Sequence, residues 1–87
     1  MGIMTKRFVQ KNIKLSLEFD DYLTKHPELY DEIPNGAVIV ITLKYDKKFT
    51  ADSISIVKSH HKPKQPVVKA EKAITRWSLS PLTFNVA

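Results

Sequence analysis

The longest uninterrupted apolar run in the chain is Gly36-Ala37-Val38-Ile39-Val40-Ile41-Thr42-Leu43. It is rich in β-branched residues, follows the turn signal Pro34-Asn35-Gly36 and closes at Lys44-Tyr45-Asp46-Lys47-Lys48. Polar and apolar positions do not alternate within it. It therefore predicts a strand buried on both faces, in the middle of a sheet with layers above and below. Upstream, Phe8, Leu15, Phe19, Tyr22 and Leu23 fall on one side of a 3.6-residue period, which predicts a helix over 5–25. Val9, Ile13 and Leu17 form a second row beside the first. A stripe this broad points to a helix that touches a sheet and something else, such as a partner chain. Asn12 is an alternative N-cap, with 1–11 then a tail or edge strand.

His26-Pro27 ends the helix, because the residue before a proline is pushed out of the α region. Pro27 suits the first position of a new short helix, with Glu28 in its first turn, and Leu29 and Ile33 would face the core together. The stretch 49–58 allows two readings. Thr50 could cap a helix in which Ile54, Val57 and His61 share a face, whereas Ser53-Ile54-Ser55-Ile56 alternates like a half-exposed strand. Two parallel strands need a crossover of a dozen or more residues, and this favours the helix. His60-His61-Lys62-Pro63-Lys64-Gln65-Pro66 reads as a polar loop. Val67-Val68-Lys69-Ala70 then opens a second strand. Through 67–79 the pattern fits either one strand with a bulge near Lys72-Ala73 or two short strands. Pro81 argues against strand beyond it, and 83–87 reads as an arm or frayed end.

The 87 residues predict one domain, 1–87, with a modest core. Composition is that of an ordinary globular chain, with 43% hydrophobic and 26% charged residues, and this excludes the disordered class. There is no cysteine, so no disulfide and no thiolate chemistry is available. The first residues lack the apolar core of a signal peptide, and no run is long enough to span a bilayer. A cytoplasmic protein is the expectation. The net charge of +5 is unevenly placed. Residues 1–43 hold five basic and six acidic side chains; residues 44–87 hold nine basic and three acidic.

The segment from Asn12 to Ala37 carries a resemblance. Leu15-Ser16, Glu18-Phe19, Tyr22-Leu23, His26-Pro27-Glu28 and Ile33-Pro34-Asn35-Gly36-Ala37 resemble a family of small uncharacterised prokaryotic α/β domains. In that family a helix, a His-Pro turn and an Ile-Pro-Asp/Asn-Gly turn lead into a buried strand. The likeness covers the first half of the chain and fades where relatives are acidic and clearly helical. It implies a fold and no activity.

Candidate chemistry is sparse. His60-His61 is a possible ligand pair, but no spacing supplies the third and fourth donors that a metal needs, and solvated loop histidines are the simpler reading. The pairs Asp20-Asp21 and Asp31-Glu32 are adjacent, so each points about 100° apart on a helix and does not converge on one atom. His26 reads as a cap of the short helix. Gly36 precedes its strand, unlike a phosphate-binding glycine loop, and Ser78 and Ser80 lack the flanking glycines of a nucleophile elbow. No enzyme, metal or cofactor is indicated. The basic second half raises nucleic-acid binding through Lys58, Lys62, Lys64, Lys69, Lys72 and Arg76, with Trp77 stacking on a base.

The expected fold is α/β. A single-layer, mostly parallel sheet of two to four strands accompanies a long N-terminal helix and a crossover helix. The expected function is a non-enzymatic structural or protein-interaction module that forms a homodimer or higher oligomer. It would do so by pairing an edge strand or by stacking helix 12–25 on its mate. Phe8, Leu15, Trp77, Leu79, Leu82 and Phe84 are the interface candidates. A small basic nucleic-acid-binding protein is the alternative.

Overall fold

The computed structural model describes residues 5–84. Helix α1 (Lys6–Lys25) starts at Thr5, whose hydroxyl accepts the Phe8 N–H at 3.1 Å. The helix is thus formed from its first predicted turn. Asn12 lies inside it and accepts from the Ser16 hydroxyl rather than capping. After His26 comes a short 3₁₀ helix (Pro27–Glu32), then strand β1 (Val38–Leu43). The Pro34-Asn35-Gly36 turn between them uses Gly36 at φ 76°, a region that side chains disfavour. Helix α2 (Lys47–His60), strand β2 (Val67–Ala73) and strand β3 (Arg76–Pro81) complete the chain.

The α/β class and the three-stranded sheet agree with the sequence reading, but the strand order corrects it. The order is β1-β2-β3, so β1 lies at the edge and β2 is central. β1 pairs parallel with β2, Ile41 facing Ala70; β2 pairs antiparallel with β3, Ala70 facing Leu79. The pairing is therefore mixed, one parallel and one antiparallel pair. The physical reason for the misplacement is that a continuous apolar run reports two-sided burial, not position in the sheet. Val40 and Thr42 are 2% and 0% exposed, and Ile41, on the opposite face, is buried too. Packed helices give an edge strand the shelter that neighbouring strands would give a central one. β2, the real centre, carries Lys69, Glu71 and Lys72 because its flanking charges pair off: Lys69 Nζ lies 3.8 Å from Glu71, and Lys72 Nζ 3.0 Å from Glu18 on α1.

α1 crosses one face of the sheet. Phe19 meets Trp77 there, with ring centroids 5.1 Å apart, and Leu15 and Leu23 join Ile41 and Ala70 in the same core cluster. Near the start of α1, Phe8 meets Phe49 of α2 at 5.2 Å. The 47–60 segment is a helix, as the crossover requires, but its N-cap is Asp46 and not Thr50. Asp46 accepts the Phe49 N–H at 2.9 Å and pairs with Lys11 Nζ at 2.9 Å. Thr50 is used elsewhere: its hydroxyl accepts the Leu43 N–H at 3.0 Å and donates to the Leu43 carbonyl at 2.9 Å. Between β2 and β3 a two-residue turn replaces the possible bulge, with Ile74 at φ 59°. The 83–87 arm lies partly outside the described residues, which end at 84.

Candidate functional site

Two surface features adjoin each other where α1 overhangs β1. The first is the outward row of α1. Its inward stripe (Phe8, Leu15, Phe19, Leu23) is buried, and the second row turns away from it. Val9 is half-buried, whereas Ile13 and Leu17 are 55% and 64% exposed. These two residues are one helical turn apart and so lie side by side on the same face.

Charge is polarised along the same helix. Lys6, Arg7, Lys11 and Lys14 occupy the first half, with no acid before Glu18; Glu18, Asp20 and Asp21 occupy the second half. Cations in a first turn oppose the helix dipole, so the N-terminal charges are locally unfavourable. Lys11 is compensated by Asp46, and Lys25 by Asp21 at 3.1 Å.

The second feature is a pocket of about 270 Å³ beside the row, between α1, the outer edge of β1 and α2. Its walls include Phe8, Val9 and Ile13 from α1, Ile39 and Ile41 from β1, and Ser53, Ile56 and Val57 from α2. β1 uses its even residues toward β2, the Val38 N–H donating to the Pro66 carbonyl at 2.9 Å and the Lys44 N–H to the Lys72 carbonyl at 3.0 Å. The N–H and C=O of the odd residues therefore point to the outer edge. Thr50 takes those of Leu43; among the described residues those of Ile39 and Ile41 have no backbone or side-chain partner.

A larger crevice of about 420 Å³ lies beyond the carboxyl ends of β1 and β2, the usual ligand position of α/β sheets. Its cations are largely spent within the chain. Lys11 is held by Asp46 and Lys72 by Glu18. The Phe49 N–H, with the Lys11 ammonium beside it, holds the Asp46 carboxyl below the usual carboxylate range. The crevice is thus lined mainly by ion pairs, with Lys14 the one cation of its wall outside them among the described residues.

The sequence-selected residues distribute as follows. Phe8, Leu15 and Trp77 are buried in the core of the chain itself, and Leu79 packs half-buried against that core. Leu82 and Phe84 are half-buried; the Leu82 N–H donates to the Val67 carbonyl, and the Phe84 ring lies 4.9 Å from that of His61. None of the six belongs to the exposed α1 row of Ile13 and Leu17. Trp77, enclosed against Phe19, has no face free to stack on a base. The basic residues divide: Lys58 lies in the last turn of α2 and Lys62 and Lys64 in the loop that follows it, whereas Arg76 stands beyond the far end of β2. Lys69 and Lys72, three residues apart on β2, project to opposite faces.

His26 does not cap the 3₁₀ helix through its side chain; its ring stacks on Tyr22 at 4.1 Å, with Nδ1 3.5 Å from Glu28. His60 and His61 turn their rings back onto α2 carbonyls, of Ile56 at 2.8 Å and Lys58 at 3.2 Å. Among the described residues no three His, Asp or Glu side chains gather where a metal could bind, and no helix is long and apolar enough to cross a membrane. Ser53 was hidden by its context: Ser-Ile-Ser-Ile reads as strand alternation, and only the helix places Ser53 on the apolar side with Phe49, Ile56 and Val57.

A family model described as a family of unknown function (DUF5647) matches residues 7–78. The match runs through α2 and β2 and so extends well past the half of the chain that carried the resemblance. Neither the curated proteins nor the solved structures contain a match.

Proposed function

We propose, for a chain that belongs to the family of unknown function DUF5647, a non-enzymatic interaction module that pairs with a second copy of itself through the outward row of α1. The carrying observation is the pair Ile13 and Leu17, two large aliphatic side chains more than half exposed on one face of a 20-residue helix. The polarity of α1 says how a second copy sits. In an antiparallel pair around a twofold axis, Ile13 of one copy meets Leu17 of the other. The Lys6 end of each helix then approaches Asp20 and Asp21 of its mate. A parallel pair would set like charges together. Antiparallel pairing also relieves the basic first turn, which the helix dipole disfavours.

The sheet edges are poorer surfaces for pairing. β1's outer edge is closed at Leu43 by Thr50, and β3 is a short edge ending in Pro81. Nucleic-acid binding draws less support, since its basic residues are divided and Trp77 is enclosed. A cytoplasmic location fits this reading.

One helix-to-helix contact is a small interface, so the affinity expected is roughly micromolar. Sedimentation at high micromolar concentration is expected to give about twice the 10.0 kDa of one chain, and Leu17→Asp to give a folded monomer. A wild-type chain that sediments as a monomer, or a Leu17→Asp variant that still sediments as a dimer, contradicts the proposal.

A further inference from the structure

Ser53 is the one buried side-chain polar group without a hydrogen-bond partner among the described residues. It is 2% exposed and forms part of the wall of the pocket between α1, β1 and α2. A helical serine ordinarily satisfies its hydroxyl by folding back onto the carbonyl four residues earlier. Ser59 of the same helix does this, its Oγ–H donating to the Ser55 carbonyl at 3.0 Å. Thr24 does the same onto Asp20. Ser53 does not. Leaving a buried hydroxyl unpaired costs about 1–3 kcal/mol, and alanine would fill the position without that cost.

The pocket has further polar groups available. The outward N–H and C=O of Ile39 and Ile41 have no partner among the described residues, and both residues line it. A peptide strand does not fit this edge, because Thr50 closes it at Leu43 and leaves too short a free stretch. No charged side chain lines the pocket, and the remaining walls are aliphatic or aromatic apart from Asn12. Its 270 Å³ can be compared with the 150 Å³ cavity that accommodates benzene, and corresponds to a body of about ten non-hydrogen atoms.

We infer that this pocket binds a small neutral molecule, mostly apolar, whose one hydroxyl or carbonyl group draws the Ser53 hydroxyl round into the pocket by rotation about χ1, since that hydroxyl is held by no hydrogen bond and has under 1 Å² of accessible surface in the free chain. The apolar body would lie against Phe8, Ile56 and Val57. The inference is argued from Ser53 and the pocket and not from self-association, although Ile13 belongs both to the pocket wall and to the pairing row.

1-Naphthol is a suitable probe, being neutral, of the right size and fluorescent. Titration of the full chain is expected to give saturable one-to-one binding. Ser53→Ala is expected to keep or raise the melting temperature and to weaken 1-naphthol binding about fivefold, the value of one hydrogen bond. Naphthalene, which lacks the hydroxyl, should bind wild type and Ser53→Ala alike. Val57→Phe should abolish binding of both while circular dichroism shows the helices intact. Ser53→Ile serves the same purpose if that variant misfolds. Absence of saturable binding at millimolar probe overturns the inference. So does 1-naphthol binding that is unchanged in Ser53→Ala and in the pocket-filling variant, since the probe would then be on another apolar surface.

Discussion

At the scale of single residues, the fold depends on a few polar groups with specific assignments. Thr50 and Asp46 are the clearest. The sequence reading gave the cap of α2 to Thr50; the structure gives it to Asp46 and uses Thr50 to satisfy both outward groups of Leu43. Composition could not separate these roles, because both residue types cap helices well. Asp46's carboxyl is held below its ordinary pKa, first by the Phe49 N–H and then by Lys11. A carboxyl with a lowered folded pKa contributes stability above its unfolded value, near 3.8, and loses it as pH falls through the folded value. The stability gap between wild type and Asp46→Asn should therefore be level from neutral pH to about pH 4 and close in stronger acid. Denaturant melts across that range test this, and a gap that persists into strong acid contradicts it.

Ile74 presents the opposite situation. It is β-branched, holds φ 59° at the first position of the β2–β3 turn and is 78% exposed. A left-handed backbone costs a non-glycine residue about 1–2 kcal/mol, partly offset in glycine by its greater chain entropy. Ile74→Gly should raise stability by about 1 kcal/mol, or roughly 5 °C in melting temperature. A loss of stability would show that the isoleucine side chain outweighs its backbone strain.

At the scale of elements, periodicity was an accurate guide to helices and a poor one to the order of strands. The inward stripe of α1 is buried almost residue for residue, and its second row is exposed where a second contact was expected. β1 was legible as a strand buried on both sides but not as an edge strand, because helices and neighbouring strands bury side chains alike. β2 looked like the lesser strand because its charges are visible in sequence, whereas the pairing of Lys72 with Glu18 across 54 positions is not. The charge polarity of α1 has its own consequence. Reversing Asp20 and Asp21 to lysine should weaken self-association several-fold, and adding Lys6→Glu should recover part of it. Sedimentation at low and high salt tests both steps, with smaller differences at high salt because exposed charges are screened. Equal association constants for wild type and the reversed variant would remove the electrostatic part of the pairing.

At the scale of the whole molecule, the net charge of +5 is spread over several separate elements. The basic residues of the second half do not gather on one face, and two of them are engaged with Glu18 and Glu71. What distinguishes the surface is apolar: an exposed aliphatic row on α1 with a pocket beside it that holds an unsatisfied hydroxyl. The row was legible because helical spacing is simple. The pocket was not, since three separated segments build it. The absence of native cysteine makes the pairing surface directly testable. Ile13→Cys and Leu17→Cys, prepared as separate single variants, can be oxidised alone and as a mixture. Antiparallel pairing through α1 predicts a disulfide-linked dimer chiefly in the mixture, where the two sulfurs face each other. No cross-link in the mixture, or equal yields from each variant alone, would contradict it.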